Sequence, residues 1–130
     1  TSNKRTNTEG RDAYSMKRSM KLYLEDIWES ILAIEEYTHK LSEDAFYSDR
    51  QVQDAVVRRL EIIGEAVKNI DEDIRNKYPQ IPWKKIAGMR DIIAHEYFGV
   101  RFDRIWDTVK KDLPDLKSKI RIIMEEGCVR

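Results

Sequence analysis

Residues 52–70 read VQDAVVRRLEIIGEAVKNI. Val52, Val56, Leu60, Ile63, Val67 and Ile70 recur at steps of three and four, which places them on one face of an α-helix. Val57 and Ala66 widen that stripe. Gly64 sits inside it, where a glycine costs roughly 1 kcal/mol relative to alanine. A glycine in such a place implies that another helix approaches closely.

The same period extends on both sides. Upstream, Leu24, Ile27, Ile31, Ile34, Tyr37 or Thr38, and Leu41 form a second stripe. Ser42 with Glu43 and Asp44 behind it has the pattern of a helix N-cap, opening a short turn before the 52–70 helix. The segment after Asp71 is charged and ends at Tyr78-Pro79, and Pro79 and Pro82 enclose a break. A third helix is expected from near Trp83 to about Tyr97, with Pro82 at or before its first turn and Gly99 beyond its end. The last stripe is Ile105, Val109, Leu113, Leu116, Ile120 and Ile123. Pro114 falls inside it, so two helices or one bent helix should meet near Asp112–Pro114. Trp28 and Trp106 fit either core or interface. These stripes predict an all-α protein, an antiparallel up-and-down bundle of four to five helices.

The sequence has 130 residues, enough for one domain with its own core. Residues 1–15 are polar and read as a disordered leader or tag-derived tail; residues 16–126 form the domain and 127–130 fray. Charged residues make up 37% of the chain, above the usual quarter, as expected of helices with ion-paired faces. Lys+Arg and Asp+Glu are 24 each, so the formal net charge is zero and binding to nucleic acid or membrane by bulk charge is excluded. A local basic cleft is not. No apolar run approaches the ~20 residues of a membrane-spanning helix. Cys128 is the single cysteine, which excludes an internal disulfide and a cysteine-based zinc site. A lone thiol fits a reducing, cytoplasmic setting.

The chemistry concentrates in Met89-Arg90-Asp91-Ile92-Ile93-Ala94-His95-Glu96-Tyr97-Phe98. In one reading His95 caps a helix C-terminus, where a cation is favourable, and Arg90 is a surface residue. In the other these residues cleave RNA without a metal. That reaction needs a base for the ribose 2′-OH, an acid for the leaving 5′-oxygen and a cation for the phosphate. Histidine titrates near neutrality and serves as base or acid. Arginine stays charged and holds phosphate oxygens bidentately. Five positions at ~100° leave the two side chains roughly 140° apart around an ideal helix. They converge only where the helix ends or the site faces a groove. A two-fold dimer would supply a second His95, so that base and acid are separate groups. Asp91 is four residues before His95, on the same face, placed to orient the imidazole or contact ribose.

Other chemistries fit less well. A metal site from Asp91, His95 and Glu96 is conceivable, but the paired Glu-x-x-His of di-iron bundles is represented only once, by Glu36 and His39. His39 reads as a solvated or capping residue. No glycine-rich phosphate loop and no Gly-x-Ser-x-Gly elbow is present. No metal and no cofactor is expected.

Arg90-x4-His95-x-Tyr97 resembles the signature of the HEPN superfamily in its HepT-like ribonuclease toxin branch. The context is similar too: Ile81-Pro82-Trp83, Ile86-Ala87-Gly88-Met89-Arg90-Asp91, Arg59 to Ala66 as the family's second-helix motif, Asp103 to Trp106, and Asp112-Leu113-Pro114. The resemblance spans roughly residues 18–126. It implies a HEPN-like helical fold that pairs as a symmetric dimer with the two motifs facing each other. It implies a metal-independent endoribonuclease that leaves a 2′,3′-cyclic phosphate. Arg90 and His95 would be catalytic, Asp91 supporting, and Tyr97 regulatory. The implied partner is a minimal nucleotidyltransferase antitoxin that transfers AMP to Tyr97, as in a type VII-like toxin–antitoxin pair. Phosphate groups on Tyr97 would fill the cleft and repel RNA.

RNA affinity rests largely on phosphate contacts. Lys84, Lys85, Arg101 and Arg104 lie around the motif in sequence and are expected to bind RNA, with acidic residues such as Asp71–Asp73 balancing them elsewhere. The competing readings are a noncatalytic helical docking module for a nucleotidyltransferase and a nucleotide-binding module whose Arg90 holds phosphate without cleaving RNA.

Overall fold

The computed structural model describes residues 17–96 and 101–127, apart from the side chains of Ile92, Ala94, His95 and Glu96. Among the described residues the regular structure is all helical. The elements are α1 (Arg18–Thr38), α2 (Glu43–Tyr47), α3 (Arg50–Lys68), α4 (Glu72–Lys77), α5 (Trp83–Glu96), α6 (Phe102–Asp107) and α7 (Leu113–Gly127), with a π-helical turn, Thr108–Asp112, between the last two.

The expected stripes are the core. Leu24, Ile27, Ile31 and Ile34 of α1 and Val56, Leu60, Ile63 and Val67 of α3 are fully buried. At the end of α1 it is Thr38, not Tyr37, that turns inward, and its hydroxyl donates to the Ile34 carbonyl at 2.8 Å. This internal bond removes the cost of burying the hydroxyl. The layer order is α7–α1–α3–α5, with α1 packed between α7 and α3, and α3 between α1 and α5.

The short elements close the ends of the long ones. Ser42 Oγ accepts from the Ala45 N–H at 3.1 Å and starts α2, as its sequence pattern implies. Phe46 of α2 is fully buried and packs 5.1 Å from the Trp106 ring. Trp106 is therefore a core residue, while Trp28 is half-buried with the Lys117 ammonium over it at 5.8 Å. Asp49 caps α3 through the Val52 N–H. The charged segment after Asp71 forms a helix of its own, α4, capped by the Asp71 carboxylate. Its Arg75 turns back and donates to the Val67 and Ile70 carbonyls at 2.7 and 3.0 Å, which satisfies the C-terminal end of α3.

Pro114 is accommodated without a break. A proline cannot donate to the carbonyl four residues back, and its ring crowds that carbonyl. The preceding turn widens instead: the Leu113 N–H reaches back five residues to the Thr108 carbonyl. One continuous helical path thus runs from α6 into α7, the bent-helix alternative. Helix α7 continues to Gly127, which is buried, one residue past the expected limit of the domain. Gly99 and Cys128 lie outside the described residues. Among the described residues no helix is long and apolar enough to cross a membrane.

Candidate active site

Helix α5 carries Arg90, Asp91 and the backbone of His95, and its start is firmly fixed. The Trp83 indole N–H donates to the Tyr78 carbonyl at 2.9 Å, and the ring is buried. The Tyr78 hydroxyl in turn reaches Glu126 on α7 at 2.5 Å. The Ile86 N–H bonds the Pro82 carbonyl at 3.0 Å, so Pro82 stands at the N-terminal end of α5, where a missing N–H is harmless.

Arg90 is the residue on which α5 meets α3. A Cβ built on Gly64 would lie 2.9 Å from the Arg90 Cβ and 3.3 Å from its backbone nitrogen. Only a glycine fits there, which explains its place in the α3 stripe. From this contact the Arg90 side chain runs along α3 to the solvent edge. Its Nε lies 3.1 Å from Glu65 Oε1, and its Nη1 lies 3.8 Å from Asp91 Oδ1. The Arg90 side chain is 43% exposed. Carboxylates thus flank the guanidinium on its Nε and Nη1 sides.

Asp91 is exposed and stands beside Arg90. The backbone of His95 continues α5 one turn further on, and its side chain lies outside the described residues, as does Tyr97. Glu65 belongs to the α3 motif, but spacing alone gives it no task, because its partner Arg90 is far away in sequence and on another helix.

The four cations expected to bind RNA separate. Helix α5 packs on α3, and a groove of about 360 Å³ lies between α5 and the α6–α7 path. Lys85, Arg101 and Arg104 line it; Lys84 and Arg90 do not. Its walls are apolar, from Leu60, Ile86, Met89, Ile93, Ile105 and Leu116. Carboxylates share the rim: Asp107, Asp112 and Asp115 stand among Lys85, Arg101, Arg104 and Lys119. Arg101 holds Asp103 through Nε and Nη2, both at 3.2 Å. That pairing pulls the Asp103 carboxyl below its ordinary value. The rim is thus mixed in charge rather than a uniformly basic cleft. His39 is exposed at the end of α1 with Nδ1 3.2 Å from the Glu36 carbonyl, as a capping residue.

The chain matches the family model described as "Ribonuclease HepT-like" over residues 27–123. The protein of Thermococcus cleftensis named "Probable ribonuclease HepT" is 53% identical over 104 residues, which covers 80% of this chain and 94% of that protein. A Methanocaldococcus jannaschii protein named "Gamma-glutamylcyclotransferase and putative RNase MJ0434" is 53% identical over 111 residues, 85% of this chain and 50% of that protein. The chain therefore spans about half the length of this relative. "Putative RNase TTE0752" of Caldanaerobacter subterraneus is 43% identical over 104 residues, 80% of this chain and 93% of that protein. No solved structure matches the chain. The helical core, the glycine-backed Arg90 and the match over residues 27–123 lead to one assignment: this chain belongs to the HepT-like ribonuclease family.

Proposed function

We propose that the protein is a metal-independent endoribonuclease, with Arg90 and His95 as the catalytic pair and RNA as substrate. The observation that carries this reading is the state of Arg90. Its base is wedged on Gly64, one edge of its guanidinium is anchored by Glu65, and the side chain is 43% exposed. A cation preorganised in this way binds the charge that develops on a phosphate without reorganising first. The ribose 2′-oxygen attacks the adjacent phosphorus, the bond to the 5′-oxygen breaks, and a 2′,3′-cyclic phosphate remains. One His95 takes the 2′-OH proton, and a second copy across a two-fold axis returns one to the leaving oxygen. Asp91, beside Arg90, supports the site. Family membership and the ribonuclease names of the relatives support the reaction class.

In the same proposal the enzyme is the toxin of a pair with a minimal nucleotidyltransferase antitoxin. AMP transferred to the Tyr97 hydroxyl blocks the cleft by bulk and by negative charge. The test is cleavage of total RNA in EDTA by wild type, His95→Ala and Arg90→Ala. Cleavage by wild type alone, with cyclic-phosphate ends, supports the proposal. Intact RNA with the wild-type protein would replace it with the docking-module reading.

A further inference from the structure

We propose that Glu65 is a positioning residue for Arg90, fixing one edge of the guanidinium so that the other meets RNA phosphate. This rests on the ribonuclease reading above. A guanidinium has one N–H on Nε and two on each Nη. Glu65 Oε1 lies 3.1 Å from Nε and forms an ion pair with it. Asp91 Oδ1, at 3.8 Å from Nη1, is beyond hydrogen-bond reach, and no residue among those described bonds Nη2. The Nη1–Nη2 edge, with the Asp91 carboxylate beside Nη1, then offers a pair of parallel donors, the geometry that grips two phosphate oxygens at once.

Two neighbours on α3 divide the task. Gly64 sets where the Arg90 side chain leaves α5, and Glu65 sets which way its planar end faces. The pair is not explained by stability. Both side chains are about half exposed, at 43% and 55%, and such ion pairs contribute little to folding. A second carboxylate beside the cation also weakens its attraction for phosphate, a disadvantage that orientation offsets. The acceptor oxygen is the feature that matters, not the charge. Glutamine at position 65 keeps that acceptor, and alanine removes it.

The experiment measures kcat and KM on a single-stranded RNA for wild type, Glu65→Gln, Glu65→Ala and Arg90→Ala, with the Arg90 Nε–H followed by ¹⁵N NMR. Glu65→Ala should lower kcat roughly 10- to 100-fold, the scale of a small misplacement of a catalytic group. KM should move by less than about threefold, because the interaction removed is one made in the transition state. Glu65→Gln should keep most of the activity, and the slow-exchanging Nε–H signal should persist in it and vanish in Glu65→Ala. Wild-type kcat in Glu65→Ala, or equal loss in both Glu65 variants, overturns the proposal while the ribonuclease reading stands. RNA left intact by wild type, or cut at full rate by Arg90→Ala, overturns the reading itself and the proposal with it.

Discussion

Arg90 occupies the space that any side chain on Gly64 would need: a Cβ at Gly64 would lie 2.9 Å from the Arg90 Cβ and 3.3 Å from its backbone nitrogen. The neighbour that would have to give way is the α5 backbone, not the end of a flexible side chain. Helix spacing and the position of the reactive cation are thus one structural decision.

Gly64→Ala should therefore destabilise the protein in spite of alanine's better helix propensity. Overpacking of this kind costs about 1–3 kcal/mol, against roughly 1 kcal/mol gained from propensity. Gly88 on α5 is the control, since a Cβ there meets nothing within 4 Å. Gly88→Ala should gain about 0.5–1 kcal/mol. Urea denaturation of the two variants checks both signs; a stabilised Gly64→Ala would mean that the α3–α5 contact is loose.

Arg75 closes α3 from the following helix, through charge-assisted bonds to two carbonyls. Hydrogen bonds from a charged group are worth about 1.5–3 kcal/mol. Arg75→Ala should lower stability by roughly that much, and Arg75→Lys should recover only part of it because one ammonium cannot reproduce the planar fork. Hydrogen exchange of the last turn of α3 should accelerate in both; unchanged protection there would count against the cap.

Tyr47 should ionise late. Its hydroxyl donates to Glu43, and this bond, followed by desolvation and the carboxylate charges of Glu43, Asp103 and Asp107, pushes its pKa up to about 12. A folded pKa above the ordinary 10 favours the neutral form in the fold. That contribution is present below about pH 10 and is lost as pH rises towards 12. Absorbance titration at about 295 nm, the usual tyrosinate band, should show a late fraction that disappears in Tyr47→Phe and moves towards pH 10 in Glu43→Gln.

RNA binding should depend on salt through the groove cations rather than through net charge, which is zero. On single-stranded RNA, the slope of log K against log salt should become shallower by about 0.7 for each phosphate that is no longer neutralised. Lys85→Gln and Arg104→Gln should each have that effect, while Lys84→Gln, off the groove, should leave the slope unchanged. An equal effect of Lys84 would place the RNA path elsewhere.

The sequence by itself determined the long helices and which face of α1, α3 and α7 is buried. That information is local: a period of three and four residues marks α1, α3 and α7, Ser42 marks a cap, and Pro82 marks a start. It also determined that something presses on Gly64. Local patterns were weakest where a short polar helix has no stripe, so α4 was legible only as a charged segment. They were also ambiguous at Pro114, where a break and a widened turn look alike until the Leu113–Thr108 bond is seen. Only the tertiary structure decided that the residue against Gly64 is Arg90, that Glu65 holds its Nε, and that Lys85, Arg101 and Arg104 share a groove while Lys84 stands apart. Those facts are distances between residues far apart in sequence. They are set by how the helices pack, and packing is the collective result of every buried side chain rather than the property of any one segment.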